Sequence, residues 1–314
     1  KRYRDELKTE LESRTEVVSN VNVRENWNKL LNTPDFKERE LKKDGETILV
    51  AGYIENLQST GERQCHAIIA EAGRGKTTLV TQLAMNFLTP LDCEIAPLIV
   101  KARRLKSIQN GNLDLSNLVI DSGYYSSWKN AGKRLLIIDG IDENINLHTE
   151  LCRDLHLSAQ VYDAHIVVTG RKNTKMSQHF NKFELGDFTE KYLEHLIYAS
   201  SDDKVCRQRL NRFLPMKLRQ RPLSVFGSAE ILAENDYDWH KADVSTHALG
   251  RWMYDRICAV SKKKHSTDKD LASPLAVSSA VGLNVLGQIL GHTELVLKSQ
   301  KEAGYKDAKS WELI

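Results

Sequence analysis

The stretch His66-Ala-Ile-Ile-Ala-Glu-Ala-Gly-Arg-Gly-Lys-Thr-Thr78 decides the fold of this chain. Its first part, Ala67 to Ala70, is a short apolar run that predicts a strand, and residues 71–75 form a turn rich in small side chains. A strand, a glycine-rich turn and a helix in that order predict a phosphate-binding loop. The helix is indicated by apolar residues that recur at i, i+3, i+4 spacing: Leu79, Val80, Leu83, Ala84, Phe87 and Leu88.

The turn supplies the groups that bind a phosphate. Gly73 and Gly75 let successive backbone N–H groups point inward, and the dipole of the following helix adds positive potential at the same place. Lys76 would reach the β- and γ-phosphates of a nucleotide, and the Thr77 hydroxyl would ligate Mg²⁺. Ala70 stands where the general G-x-x-x-x-G-K-[ST] pattern has its first glycine, a position that tolerates alanine at a negative φ. The nucleotide contacts predicted in this loop are Ala72, Gly73, Arg74, Gly75, Lys76, Thr77 and Thr78.

A second motif, Leu135-Leu-Ile-Ile-Asp-Gly-Ile-Asp-Glu143, ends an apolar strand in acidic residues. Asp139 lies 63 residues after Lys76, which leaves room for a helix, a strand and a second helix. An acidic residue beside a phosphate-binding loop holds Mg²⁺, usually through water, so Asp139 is a predicted metal ligand. Asp142 and Glu143 follow the strand, where a carboxylate can orient the attacking water. A surface acidic turn after a core strand is the alternative interpretation.

Strand and helix patterns alternate along the middle of the chain. Strands alternating with helices imply right-handed βαβ units and a parallel sheet. The predicted fold class is therefore α/β, a parallel sheet flanked by helices, with ligands bound at the carboxyl ends of the strands, where both motifs fall. Apolar runs predict strands at Glu94–Val100, Lys133–Asp139, Ala164–Thr169 and Lys182–Leu185, and helical patterns predict helices at Leu113–Ile120 and Leu147–Gln160.

From Asp187 onward the patterns become helical, with helices predicted at residues 188–200, 203–213, 223–234 and 246–260. Tyr53, shortly before the phosphate-binding loop, is interpreted as a packing residue, with stacking on a nucleotide base as the alternative. We predict an N-terminal helical linker (residues 1–46), a nucleotide-binding domain (47–186), a helical lid domain (187–235) and a winged-helix or further helical domain (236–314).

The composition excludes several classes of protein. The chain has 314 residues, enough for two or three domains, and 45 basic against 42 acidic residues give a net charge of +3. That charge does not by itself indicate a nucleic-acid partner. Beyond the short run Lys262–Lys264, no basic stripe with interleaved aromatic residues is visible, so nucleic acid is not an expected partner. The five cysteines are scattered and never form a C-x-x-C pair, a pattern typical of reduced thiols in the cytoplasm. No 18-residue apolar run predicts a membrane span. Because the first residue is Lys1 rather than Met, the chain is expected to be part of a longer protein.

The two motifs together resemble the NACHT branch of the STAND signalling NTPases. AEAGRGKTT (residues 70–78) is followed by LLIIDGIDE (135–143), and the acidic motif of that family likewise reads as an Asp, a small residue, an apolar residue and an acidic pair. The segments APLIV (96–100) with RRL (103–105), and DFTEKYLEHLIY (187–198), are also similar to the family's second strand and to the start of its helical domain. The similarity covers residues 47–232 in the family's order.

The resemblance adds two site residues and suggests a third. HIVVTGR (165–171) is similar to the family's sensor strand, which implies that Arg171 detects the γ-phosphate and joins the catalytic pair Asp142 and Glu143. Arg221-Pro222-Leu223 is similar to the segment whose proline packs on the nucleotide base, which adds Pro222 to the predicted cofactor contacts. The family's winged-helix domain offers a histidine to ADP. His292 is the candidate for it, but the motif around it does not match, and a surface histidine is the favoured interpretation.

The family's activity implies an ATP-driven switch that uses ATP, ADP and Mg²⁺. By resemblance, the ADP form is closed, ATP favours an open form that assembles into a homo-oligomer, and hydrolysis is slow and regulatory. The resemblance also implies an activating ligand, such as a phage protein, and an effector outside this chain, with a role in immunity or anti-phage defence.

Two alternative functions belong to other classes. One is a mechanical or loader ATPase of the AAA+ kind, whose acidic motif places Glu directly after the first Asp, whereas Gly140 follows Asp139 here. The other is a scaffold that binds ATP without hydrolysing it. Asp142 and Glu143 favour hydrolysis over such a scaffold.

Overall fold

The structure, a computed structural model, describes residues 2–13, 18, 20–71, 73–88, 95–115, 122–144, 146–245, 248–252 and 255. The chain divides into two compact units. The first unit comprises Lys1–Leu11 and Leu31–Thr189, and the second comprises Glu12–Leu30 and Glu190–Ile314.

The first unit is built on a seven-stranded sheet in the order β2-β1-β9-β3-β8-β7-β4. Strands β9, β3, β8, β7 and β4 run parallel, which confirms the predicted parallel sheet, while β1 and β2 are antiparallel additions at one edge. The strands of this sheet are β1 (Glu40–Lys43), β2 (Glu46–Leu49), β3 (Cys65–Ile69), β4 (Ile95–Lys101), β7 (Lys133–Asp139), β8 (His165–Gly170) and β9 (Asn181–Leu185).

The central strands form because their side chains are apolar on both faces. Residues 135–138 of β7 have no exposed surface, as expected for a parallel strand covered by helices on both sides. The register pairs Lys101 with Asp139, and Ile69 with Gly170. The carboxyl ends of β4, β7, β3 and β8 therefore lie along one edge of the sheet.

Helices flank the sheet, as predicted. Residues 147–160 are mostly helical but are broken by a 3-10 turn at Leu155–Leu157. The helix predicted at Leu113–Ile120 is wrong at its start, because residues 112–113 pair in a small hairpin, and residues 116–120 lie outside the described part. The remaining elements of this unit are α1 (Arg2–Ser13, as far as Leu11), α3 (Val50–Ser59), α4 (Lys76–Phe87), β5 (Ile108–Gln109), β6 (Asn112–Leu113), α5 (Ser122–Lys129), α6 (His148–Asp154) and α7 (Ser158–Val161).

The sheet starts earlier in the chain than the predicted boundary at residue 47, because β1 pairs with both β2 and β9. The β1–β2 turn is Asp44-Gly45, and both residues have a positive φ (51° and 88°). Asp-Gly in that conformation is a strong hairpin turn, since its twist matches that of the flanking strands. The segment 1–46, predicted as a helical linker, thus contributes helices and also a strand of the main sheet.

Tyr53 is a packing residue. Its side chain is 2% exposed, and its hydroxyl lies 2.9 Å from Nδ1 of His66. Burial lowers the pKa of His66 to about 4, so this imidazole is neutral at physiological pH. The buried position leaves no face of the Tyr53 ring available to a nucleotide base, which excludes the stacking alternative.

The second unit is helical in its described part. The Trp27 and Phe226 rings stack at 4.1 Å in its core, and the N–H of the Trp252 ring donates to Glu230 at 2.8 Å. Most residues after 252, including Lys262–Lys264 and His292, lie outside the described part. The helices of this unit are α2 (Val21–Leu31, as far as Leu30), α8 (Glu190–Ser200), α9 (Lys204–Phe213), α10 (Met216–Arg219) and α11 (Pro222–Glu234).

In the described part of the chain, no helix has the length and apolar character needed to cross a bilayer.

Candidate nucleotide-binding site

The predicted loop connects β3 to α4 with two glycines in the left-handed region. Gly73 has φ 73° and Gly75 has φ 78°, a conformation that L-residues adopt at a cost. Gly75 caps α4, and its carbonyl accepts the Leu79 N–H at 2.9 Å. The Ala70 N–H donates to the Gly170 carbonyl at 3.2 Å, which ties the start of the loop to β8. Ala72 lies outside the described residues.

Lys76 occupies the first turn of α4 and reaches back over the loop. Its Nζ donates to the carbonyl oxygens of Ala70 at 2.9 Å and of Glu71 at 3.0 Å. Both acceptors are neutral, so the positive charge of the ammonium is not consumed by an ion pair in this contact. Partial burial lowers the pKa of Lys76, and the nearby carboxylates oppose that shift. The groups that act on Lys76 electrostatically are Asp142, Arg171, Asp139 and Glu143, so the structure brings these four predicted site residues close to the lysine.

Asp139 ends β7 with a buried, oriented carboxylate. Its side chain is 4% exposed, and its Oδ1 accepts the Thr169 hydroxyl at 2.7 Å. Thr169 in turn accepts the Gly140 N–H at 2.8 Å, which holds the hydroxyl in place. The other oxygen, Oδ2, lies 3.5 Å from Nζ of Lys101, which is also 2.6 Å from Glu10. The Thr169 hydroxyl thus orients the Asp139 carboxylate, and the Lys101 ammonium balances its charge.

The donor set fits Mg²⁺. The Asp139 carboxylate and the Thr77 hydroxyl, in the first turn of α4, are hard oxygen ligands of the kind Mg²⁺ prefers. Within the described residues, no three His, Cys, Asp or Glu side chains are grouped to hold a metal by themselves. A Mg²⁺ ion at this place would therefore complete its shell with phosphate oxygens and water, as is usual for that ion.

Asp142 and Arg171 form an ion pair. Nε of Arg171 is 2.8 Å from Oδ2 of Asp142, and the Arg171 backbone N–H donates to Oδ1 at 3.1 Å. The two side chains are 36% and 16% exposed, so the arginine keeps access to solvent. Asp142, predicted together with Glu143 to orient the attacking water, is therefore held by the residue expected to detect the γ-phosphate.

Glu143 differs from Asp142 in its surroundings. It closes a tight turn that begins at Gly140, whose φ is 74°. Glu143 is an exposed residue, but partial desolvation raises the pKa of its carboxyl, and the nearby Asp139 carboxylate raises it further. A carboxylate with a raised pKa is a better proton acceptor than an ordinary one. Of the two acidic candidates, Glu143 is the one with the properties of a base.

Gly140→Ala tests whether this turn matters. A Cβ on Gly140 would lie 2.8 Å from the Glu143 carboxyl carbon, so that flexible side chain must move. We expect the free energy of unfolding to fall by roughly 1–2 kcal/mol, because alanine is strained in the left-handed conformation of residue 140. The rate of ATP hydrolysis should fall as well, because Glu143 is displaced. Gly132→Ala is the matched control, because a Cβ there meets nothing within 4 Å. Denaturant unfolding and phosphate release measure the two effects, and full hydrolysis by Gly140→Ala would contradict the role given to Glu143.

Three residues of the site were not predicted as such. Arg39, just before β1, donates through Nη2 to the Arg74 carbonyl and lies 4.0 Å from the centre of the Phe188 ring. Lys101 and Thr169 both contact Asp139. Thr169 could have been found, because it ends a predicted strand next to that of Asp139. No local pattern marks Arg39, which reaches the loop only through the pairing of β1 with the sheet.

Arg74, Thr78 and Pro222 are the other predicted nucleotide contacts. Arg74 pairs with Asp187, so this loop residue turns toward the end of the first unit. Thr78 is half-buried in the first turn of α4. Pro222 is the first residue of α11 in the second unit, and its contact with a base stays a prediction.

Comparisons with known proteins concern the fold. No protein-family model matches the sequence, and no curated protein matches it significantly. The chain is similar to the Aeropyrum pernix ORC1 protein in complex with DNA, at 12% identity and a TM-score of 0.38, over 92% of this chain and 84% of that chain. A point variant of Thermotoga maritima RuvB shows 15% identity and a TM-score of 0.37, over 80% and 82%. Drosophila ORC bound to DNA shows 10% identity and a TM-score of 0.36, over 84% and 75%. Similarity this low carries no information about function, which the site residues must supply.

Proposed function

We propose that the chain is an ATP-binding switch that hydrolyses ATP slowly with Mg²⁺. The observation that carries the proposal is the convergence of Lys76, Asp139, Glu143 and the Asp142–Arg171 pair around a loop with two left-handed glycines. A cradle of backbone N–H groups, one lysine, one metal-binding carboxylate and one candidate base are the parts that phosphoryl transfer to water needs.

The roles follow from the contacts of each residue. Lys76 would exchange its two carbonyl acceptors for phosphate oxygens. Asp139 and Thr77 would hold Mg²⁺, which neutralises charge on the phosphates when it is bound. Glu143 would accept a proton from the attacking water, because its raised pKa suits that task.

The switch itself would be an exchange of partners at Arg171. In the structure this arginine pairs with Asp142. A γ-phosphate offers more negative charge and more acceptor oxygens than one carboxylate, so it would draw the guanidinium away. ADP lacks that group and would leave the ion pair intact. ATP and ADP can therefore favour different conformers, because they differ in this one contact. A ligand that bound both conformers equally well would not change their populations.

Arg171→Ala is expected to spare ADP affinity and to abolish ATP-dependent assembly. Pro222→Ala should instead weaken both nucleotides, because the base is common to them. Light scattering with a non-hydrolysable ATP analogue measures assembly, with the native activator or longer protein present, and calorimetry measures affinity. Arg153→Ala is the control, since Arg153 is an exposed arginine that pairs with its neighbour Asp154. Normal ATP-driven assembly by Arg171→Ala would remove this residue from the switch.

The biological setting of this proposal rests on the resemblance to the NACHT branch. The resemblance supports the formation of a homo-oligomer, an activating ligand such as a phage protein, an effector outside this chain and a role in anti-phage immunity. A cytoplasmic location is supported by the described cysteines, Cys65, Cys152 and Cys206, which are all free thiols.

A further inference from the structure

The second unit contains a strongly basic segment. Residues 204–221 carry seven Lys or Arg residues and no Asp or Glu, although the whole chain has a net charge of only +3. Three of the seven make contacts that support the fold. Arg219 donates to the Leu214 carbonyl at 2.7 Å and to Asn211, Arg207 donates to the Ser201 carbonyl at 3.0 Å, and Arg221 is buried. The other four are Lys204, Arg209, Arg212 and Lys217, which, like Arg207, are exposed or half-buried.

Aromatic rings accompany these cations. The Arg207 guanidinium lies 4.6 Å from the centre of the Tyr198 ring, and that of Arg212 lies 5.2 Å from the Phe213 ring. Tyr198 is 66% exposed, the largest exposed fraction among the exposed large hydrophobic side chains of the described residues. Packing does not account for a tyrosine whose ring faces solvent beside an arginine.

Tyr198, Lys204 and Arg207 line one groove, and Arg212 follows its lining residue Asn211 in the sequence. The groove lies between α8 and α9, has a volume of about 380 Å³, and is lined by Tyr198, Lys204, Arg207, Gln208, Asn211 and Glu194 among others. It therefore combines a flat aromatic surface, two cations and two amides that can both donate and accept hydrogen bonds. The one carboxylate, on Glu194, can accept from an amino group.

We propose that the groove between α8 and α9 binds single-stranded nucleic acid, with Tyr198 stacking on a base and Lys204, Arg207 and Arg212 beside the phosphates. Basic grooves with exposed aromatic side chains bind single strands in this way, because every base has a face for stacking. An acidic peptide would use the cations but would gain nothing from the ring. The expectation that nucleic acid is not a partner is therefore not supported, since residues 198–213 combine cations and aromatics. This proposal does not depend on the proposed ATPase activity, because none of the groove residues belongs to the candidate nucleotide-binding site.

Fluorescence anisotropy with a labelled oligothymidylate tests the proposal on the 314-residue chain. For a single strand, the logarithm of affinity should fall linearly with the logarithm of salt concentration, with a slope of about −0.7 for each phosphate neutralised. The double variant Lys204→Ala, Arg212→Ala should flatten this slope by about 1.4. Lys241→Ala, Arg251→Ala is the matched control. It removes the same charge from exposed cations elsewhere in the unit and should leave the slope unchanged.

Substitutions at Tyr198 separate stacking from charge. Tyr198→Ala should weaken binding about tenfold or more without changing the salt slope, and Tyr198→Phe should retain affinity because its ring still stacks. Lys76→Ala should bind the oligonucleotide normally, which keeps this result independent of the nucleotide site. Three outcomes would overturn the proposal: no oligonucleotide binding, an equal loss in the control, or equal affinity of polyglutamate that is insensitive to Tyr198→Ala.

Discussion

Lys76→Ala should weaken the binding of both ATP and ADP by about 2–4 kcal/mol, which is the range for losing charge-assisted contacts. The reason is geometric. Nζ lies over the loop and donates to the carbonyl oxygens of Ala70 and Glu71. The phosphate oxygens of either nucleotide would contact this ammonium group. Isothermal calorimetry with each nucleotide, in the presence of Mg²⁺, measures the loss.

The control for Lys76 is a lysine of the same unit outside the loop. Lys172 is 56% exposed and pairs with Glu184 at 2.7 Å, so Lys172→Ala changes the net charge equally but leaves the loop intact. Lys76→Ala loses two hydrogen bonds to backbone carbonyls and the attraction of the nearby carboxylates, so denaturant unfolding of the variant checks that it remains folded. Unchanged ADP affinity in Lys76→Ala would refute the assignment of the phosphate-binding loop.

Glu143→Gln combined with Asp142→Asn should slow hydrolysis by about 10²–10⁴-fold while leaving ATP bound, the range for losing a general base. The side-chain amide introduced at position 142 can still accept the Arg171 N–H, so the turn should keep its shape, but it can no longer hold Arg171 as an ion pair. Single-turnover phosphate release measures the chemical step, and filter binding measures retained ATP. A scaffold that never hydrolyses ATP would show no release even in the wild type.

The two single variants should behave differently. Glu143→Gln should account for most of the lost rate, because Glu143 has the raised pKa, whereas Asp142→Asn should mainly release Arg171. Wild-type hydrolysis should rise with pH through the pKa of Glu143, since only the ionised carboxylate accepts a proton, and Glu143→Gln should lose that step. Glu55→Gln, on the exposed face of α3, is the control. A wild-type rate in the double variant would show that these carboxylates form only a surface turn.

Arg39 is a site residue that no sequence motif marks. Its neighbours in sequence show no motif, yet its guanidinium contacts the loop and the Phe188 ring. The contact exists because β1 pairs with β9, which lies beside β3 in the sheet. The Asp44-Gly45 turn could have revealed the hairpin, but not its place at the edge of the sheet.

Local chemistry determined the parts of the site that the sequence predicted. The loop between β3 and α4 follows from adjacent residues, since glycines at positive φ and a helix start depend on the nearest neighbours in the chain. The apolar run before Asp139 likewise identifies a buried strand without knowledge of its partners. Alternation of such elements was enough to predict the α/β class and to place the ligand site at the strand ends.

Tertiary structure decided which of those residues meet. The order of the strands brings Thr169 and Lys101 to Asp139, and it pairs Arg171 with Asp142 rather than leaving that carboxylate free. It also turned Tyr53 into the core and exposed Tyr198. These contacts join residues far apart in sequence, and their free energy depends on burial and on distances between charges. Neither quantity is a property of a local pattern, so only the folded chain determines them.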